Sequence, residues 1–114
     1  MKRTESFYHN KRWTKLRVSI LTRDCYTCQD SKRYGRRVQA DTVHHIFPRD
    51  LFPEYEWEPW NLTSLCSKAH EEMHDRVTGQ LTDKGLDLLR RTALKRGMDL
   101  KEIDSRMVHA ASQQ

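Results

Sequence analysis

The chain has 114 residues, which is the length of one small domain, and its 21 Lys and Arg against 16 Asp and Glu give a net charge of +5. No apolar run is long enough to span a membrane and no signal-peptide core follows Met1, so we expect a cytoplasmic protein with no membrane partner. Most of the excess positive charge lies in the first 37 residues, which indicates either a polyanionic partner such as nucleic acid or a solvated basic face.

The first half of the chain predicts a helix, a turn and a strand. Residues 10–22 carry an apolar stripe at helical spacing, and Asn10 is a suitable N-cap. The members of the stripe are Trp13, Leu16, Ile20 and Leu21. Residues 24–35 are expected to form a turn that contains Cys25 and Cys28. In residues 38–46 the side-chain types alternate from one position to the next, which predicts a strand.

The second half predicts a proline-rich loop, a short strand and three helices. The loop covers residues 47–60 and the strand residues 61–66. Ser67 is expected to cap a helix that runs to residue 75 or 76. Thr82 is expected to cap the next helix, residues 83–96, which turns Leu86, Leu89 and Leu94 inward, and a last helix follows at residues 99–108.

These elements divide the chain into three parts. We expect a flexible N-terminus at residues 1–9, one domain at residues 10–97, and a C-terminal helix or tail at residues 98–114.

Four of the six histidines lie close together in this arrangement. His44 and His45 are adjacent in the predicted strand, so their side chains point to opposite faces. His70 and His74 are four residues apart in the predicted helix and share one face. One strand histidine and both helix histidines can therefore converge on a single cation, and the other strand histidine is free to move a proton. Hydrolysis of a phosphodiester needs both functions.

The order of these residues resembles the HNH endonucleases, whose core is the ββα-metal fold. The match consists of His44-His45 in a strand, Asn61 before the next strand, His70 nine positions later, and His74. The flanking sequences, among them Trp13-x-x-Leu16-Arg17, are similar to those of small phage-encoded members. The resemblance covers roughly residues 7–90.

The resemblance implies the fold class and the activity. The fold would be α+β, with a ββα-metal core, one amphipathic helix before it and one or two helices after it. The activity would be that of a metal-dependent endonuclease which hydrolyses double-stranded DNA and leaves a 5′-phosphate and a 3′-hydroxyl. The phage members further imply a role beside the terminase in genome packaging.

The resemblance also implies a role for each site residue. His44, His70 and His74 would bind the metal ion, His45 would be the general base, and Asn61 would hold the loop that orients His45.

Two further expectations come from the residue types themselves. Three imidazole ligands favour Mn, Ni, Co or Zn, although Mg is also admitted. Arg49, just after the first strand, is a candidate contact for the phosphate.

The cysteines leave a structural zinc open. Many relatives hold such a zinc with two Cys-x-x-Cys pairs, but here Cys25 and Cys28 are followed only by Cys66, and Ala69 stands in the fourth position. Three thiolates do not close a tetrahedral site. His70 could complete it only by leaving the catalytic ion; otherwise the cysteines pack as small apolar residues.

Two other functions compete with the endonuclease. His70-Glu71-x-x-His74 also matches the His-Glu-x-x-His motif of zinc metalloproteases, but that reading leaves His44, His45 and Asn61 unused. A non-catalytic DNA-binding module, stabilised by the metal ion, would have the same composition and would not need a free base at His45.

Overall fold

The computed structural model describes residues 6–112 and the side chains of residues 6–108. In that part of the chain, two strands pair antiparallel and lie between helices. The elements are α1 (Lys11–Arg23), α2 (Gln29–Arg33), β1 (Thr42–His45), β2 (Leu62–Leu65), α3 (Ser67–Glu71), α4 (Asp83–Lys95) and α5 (Leu100–Ser112). The predicted α+β fold, a strand pair followed by a short helix, is confirmed.

Helix α1 packs its apolar stripe against the sheet, as predicted. The Asn10 side chain caps the helix by accepting a hydrogen bond from the Arg12 amide at 2.7 Å. Trp13, Ile20 and Leu21 are buried in a cluster that includes residues of both strands and of α3, and Leu16 packs at its edge. The burial of these side chains joins α1 to the sheet that carries His44 and His45.

Strand β1 is shorter than the predicted strand of residues 38–46. It begins at Thr42 and pairs with β2 in the register His44 opposite Thr63 and His45 opposite Leu62. The residues before it bond elsewhere, since Val38 accepts from the Cys28 amide at 2.7 Å and the Ala40 amide donates to Tyr26 at 2.8 Å. The cysteine turn therefore takes the backbone groups that would have lengthened the strand.

Helix α3 ends earlier than the predicted residue 75 or 76. It stops at Glu71, its N-cap is Cys66 rather than Ser67, and His74 lies beyond its end. The reason is a contact from the start of α4: the Thr82 hydroxyl and amide donate to the carbonyls of Glu72 and Met73 at 2.6 and 2.9 Å. Both carbonyls therefore have hydrogen-bond donors without a further turn of helix, and α3 can end at Glu71.

Gly85 makes this contact close. A Cβ atom at Gly85 would lie 2.5 Å from the Met73 carbonyl oxygen, which is well inside van der Waals contact. The missing side chain therefore lets α4 approach the chain just before His74.

Helices α4 and α5 enclose a second apolar cluster with the loop between the strands. Thr82 caps α4 by accepting from the Gly85 amide, as predicted. Leu89 and Ala93 are buried, but Leu94, which was expected to point inward, is 63% exposed. The other buried members of the cluster are Ile46, Phe47, Phe52 and Ile103. The predicted last helix is present as α5 and continues to Ser112.

The proposed division at residues 9 and 97 stays a prediction. Residues 1–5 and 113–114 of the two predicted end segments lie outside the described residues. Within the first segment, Phe7 is buried against Trp13 and Trp57, with ring centroids 5.2 and 4.6 Å apart. None of the helices in the described part of the chain has the length and apolar character that a membrane span requires.

Candidate metal centre and catalytic cavity

Three histidines converge at one point beside the sheet. One ring nitrogen from each of His44, His70 and His74 lies within 4.8 Å of the other two. The ring centroids are 5.4 Å apart for His44–His70, 5.3 Å for His44–His74 and 5.5 Å for His70–His74, so the three rings form a nearly equilateral triangle. His74 reaches this point from the turn after α3 and not from the helix face predicted for it.

His44 has no hydrogen-bond partner in this arrangement. Its side chain is 1% exposed, and both ring nitrogens are buried without a partner. Burial lowers the pKa of His44 well below the usual value, and repulsion from His74, His70 and His45 lowers it further. A neutral buried imidazole that lacks a partner is costly, but the same ring is well suited to bind a cation.

The other two histidines are half-buried, and carboxylates lie near them. Burial lowers the pKa of His70, although Asp41 and Glu71 oppose the shift. Burial and His70 likewise lower the pKa of His74 against the effect of Asp50. All three imidazoles are therefore neutral near pH 7, which is the state that binds a metal ion. The residues present thus fit a divalent cation with nitrogen ligands.

His45 points to the other face of the sheet, as the strand spacing predicts. Its ring stacks on Trp13, with ring centroids 5.2 Å apart and an interplanar angle of 19°, and the Phe7 ring meets it edge-on with centroids 5.7 Å apart. Its Nε2 atom lies 3.0 Å from the Glu56 carbonyl oxygen. Because a carbonyl can only accept, the neutral ring carries its hydrogen on Nε2 and keeps Nδ1 as a proton acceptor. Burial lowers the pKa of His45 to about 4, and the Arg49 charge contributes.

Asn61 is fully buried just before β2 and holds the loop together through its side chain. Its side-chain oxygen accepts from the Phe47 amide at 2.7 Å, and its amide donates to the carbonyls of Phe47 and Tyr55 at 3.2 and 3.1 Å. Tyr55 immediately precedes Glu56, whose carbonyl receives the His45 hydrogen bond. Asn61 therefore fixes the segment that orients His45.

The four histidines line one cavity of about 490 Å³. Arg49 also lines the cavity. Its Nε atom lies 3.4 Å from the carboxylate oxygen Oε2 of Glu56, and its guanidinium carbon lies 3.6 Å from the centroid of the Phe7 ring. Arg17 lines the cavity as well and donates to the Asp41 carbonyl at 2.6 Å. Arg49 lies near His45 and Arg17 lies near Asp41, so positive charge flanks the histidines on two sides.

The cysteines do not join the metal centre. Among the described residues, His44, His70 and His74 are the one group whose ligand atoms come together, and no cysteine belongs to it. Cys25 is exposed, and Cys28 is buried and packs in the same apolar cluster as Cys66 and Ala69. His70 lies with the other histidines instead of completing a cysteine site. The structural zinc that the sequence left open stays a prediction.

Several residues of the cavity were not predicted as site residues. Trp13 was expected in the apolar stripe of the first helix and Arg17 only in a flanking sequence of the family, whereas Asp41 and Asp50 had no expected role. These assignments depend on which elements pack together, and no local spacing in the sequence signals them.

The fold has a counterpart among solved structures. No family model and no curated protein matches the chain. It is similar to the crystal structure of the HNH endonuclease from the deep-sea thermophilic bacteriophage GVE2 with manganese ion, at 30% sequence identity and a TM-score of 0.59. The similarity covers 61% of this chain and 76% of that endonuclease. With that identity over three quarters of a phage HNH endonuclease, the chain belongs to the HNH endonuclease family.

Proposed function

We propose that the protein is a metal-dependent DNA endonuclease that hydrolyses phosphodiester bonds with His45 as the general base. The observation that carries the proposal is that two adjacent histidines of β1 face opposite sides of the sheet. His44 turns towards His70 and His74, and His45 turns away from them to the Glu56 carbonyl. A metal ligand and a proton acceptor thereby line the same cavity without competing for one position.

The protein residues would act as follows. Nδ1 of His45 takes a proton from a water molecule, whose oxygen attacks the phosphorus while the P–O3′ bond breaks. The products are then a 5′-phosphate and a 3′-hydroxyl, as in the family that the chain resembles. Asn61 keeps the Glu56 carbonyl in place, so that the other ring nitrogen of His45 stays protonated. Arg49 and Arg17 are placed to contact phosphate oxygens in the cavity.

His44, His70 and His74 would hold one divalent cation. When bound, the cation would supply positive charge for the phosphoryl oxygens. Three imidazoles favour Mn, Co, Ni or Zn over Mg. The manganese ion in the similar phage endonuclease supports Mn among these candidates.

Plasmid nicking tests the proposal. Metal-stripped protein is supplied with Mn²⁺ and supercoiled DNA, and the wild type is compared with His45→Ala. We expect cleavage by the wild type and a loss of at least about 100-fold in His45→Ala, the usual contribution of a general base. Equal cleavage by both would remove His45 from the mechanism, and no cleavage by either would favour the DNA-binding module.

The metalloprotease alternative is not supported by the geometry. Its motif needs both histidines and the glutamate on one continuous helix, but α3 ends at Glu71, before His74.

A role beside a phage terminase is part of the proposal on resemblance alone. Co-purification of the protein with the large terminase subunit of its own phage would test it, and separate elution of the two would argue against it.

A further inference from the structure

One segment on the surface carries positive charges that form no ion pair with any described residue. We call residues 32–37, which comprise the end of α2 and the turn after it, the basic turn; its charged members are Lys32, Arg33, Arg36 and Arg37. All six residues are exposed. Among the described residues, the side chains of Lys32, Arg36 and Arg37 take part in no ion pair and no hydrogen bond.

Seven ion pairs join described residues, and none of them uses a side chain of the basic turn. The carboxylates around the basic turn already have partners: Asp24 pairs with Arg23 at 2.9 Å, and Asp30 pairs with Lys84 at 2.9 Å. The charges of the basic turn are therefore available for a partner outside the chain.

The basic turn presents these charges from a fixed backbone. The Gly35 amide donates to Lys32 at 2.9 Å, and the Arg36 amide donates to Ser31 at 2.9 Å. Gly35 has a φ of 78°, which a residue without a side chain adopts at little cost. Ser31, at the start of the turn, is buried. An anion that binds here pays little entropy for ordering the backbone.

The surface between the turn and α1 is concave. Lys32, Arg36 and Arg37 line a cavity of about 460 Å³ together with the neutral side chains of Thr27 and Gln29. Such a set offers charged and neutral donors to oxygen atoms and contains one carboxylate, Asp24, which is already paired. This chemistry suits phosphate groups.

The helix that leads into the basic turn is tied to the segment before His74. Lys84 pairs with Asp30 of α2 at 2.9 Å and with Glu72, just after α3, at 2.7 Å. Helix α2 is thus held beside the end of α3, where the chain continues to His74. A duplex that occupies the histidine cavity has to extend past that cavity on at least one side.

We propose that the basic turn is a second DNA contact, which binds backbone phosphates outside the cleavage cavity and contributes affinity but no chemistry. The inference rests on the proposed endonuclease function, because it takes DNA as the partner. Phosphates attract these cations whatever the base sequence, so the contact is non-specific and weakens with salt.

The experiment measures duplex binding by metal-free protein in chelator, where cleavage does not occur. The test variant carries Arg36→Gln and Arg37→Gln. The matched control carries Arg90→Gln and Arg91→Gln, an equal loss of charge on α4, where both residues are paired with carboxylates. Affinity is measured from about 50 to about 200 mM salt, a range over which phosphate contacts are strongly screened.

Loss of two phosphate contacts should reduce the slope of log affinity against log salt by about 1.8 in the test variant. Over that fourfold change in salt, the variant should lose about tenfold less affinity than the wild type. The control should keep the wild-type slope. In Mn²⁺, the test variant should show a raised KM for plasmid cleavage and an unchanged kcat.

Three results would overturn the inference: a wild-type slope in the test variant, equal reductions in test and control, or absence of duplex binding by the wild type. The first two leave the endonuclease intact, since binding is measured without catalysis. Failure of the wild type to cleave DNA in Mn²⁺, with the expected slopes preserved, would instead reject the endonuclease and keep the DNA contact.

Discussion

The side chain of Asn61 should contribute more to stability than its size suggests. It is completely buried and makes three hydrogen bonds to the backbone of Phe47 and Tyr55. Asn61→Ala removes all three and leaves the buried Phe47 amide without an acceptor. An intramolecular hydrogen bond contributes about 1 kcal/mol, and a buried group left unpaired costs about 1–3 kcal/mol. We therefore expect a loss of roughly 3–5 kcal/mol, a large part of the stability of a small domain.

Urea unfolding of the metal-free protein measures this loss, and Asn10→Ala is the matched control. Asn10 caps α1 at the surface through one hydrogen bond, so its removal should cost about 1 kcal/mol. Asn61→Asp keeps the acceptor for the Phe47 amide but buries a carboxylate against the carbonyls of Phe47 and Tyr55, so it should destabilise the protein at least as much as Asn61→Ala. If Asn61→Ala costs no more than Asn10→Ala, the amide does not hold the loop, and its role in orienting His45 is refuted.

Three further perturbations have defined outcomes. Gly85→Ala should destabilise the protein by about 1–3 kcal/mol and weaken Mn²⁺ binding, because the new Cβ atom would clash with the Met73 carbonyl next to His74. Helix propensity alone predicts the opposite, a stabilisation. Urea unfolding measures the stability, and calorimetry measures the Mn²⁺ affinity. Burial lowers the pKa of His45 from 6.5 to about 4, so the unfolded chain binds more protons in that range. The metal-free protein should therefore be most stable above about pH 6.5, and His45 alone should lower its free energy of unfolding by roughly 3 kcal/mol as the pH falls to about 4. A urea midpoint that stays constant over this pH range would contradict the burial of His45. His44→Asp should shift the metal preference in plasmid cleavage towards Mg²⁺, since a carboxylate is a harder ligand; an unchanged ranking would exclude His44 as a ligand.

The sequence was most informative where a function depends on local spacing. Adjacent residues in a strand point to opposite faces, so the separation of His44 from His45 follows from their positions alone. Asn10 and Thr82 were predictable as caps because a cap is a short-range hydrogen bond. Asn61 was predicted through resemblance, and its three hydrogen bonds supply the physical reason for its position.

The errors occur where distant segments determine local structure. The end of α3 at Glu71 depends on hydrogen bonds from Thr82, which lies ten residues after Glu72. The helical pattern between residues 67 and 76 contains no sign of that contact. Leu94 was expected to be buried because it is large and apolar, but the interior spacing of α4 continues from Leu89 to Ala93.

Arg17 illustrates the same limit for the site. It was expected only in a segment that flanks the site, but the packing of α1 on the sheet places it in the histidine cavity beside Asp41. The register between a helix and a sheet is set by side chains from both elements, so the helix sequence alone does not give it.

Calorimetric titration of Mn²⁺ into the wild type, His44→Ala and His45→Ala tests most directly whether these adjacent histidines have separate roles. His44 faces His70 and His74, whereas His45 stacks on Trp13 and bonds to Glu56. We expect His44→Ala to lose at least about tenfold in Mn²⁺ affinity, as removal of a metal ligand or its support typically does, and His45→Ala to bind like the wild type. Loss of Mn²⁺ binding in His45→Ala together with retention in His44→Ala would contradict the assignment of both residues.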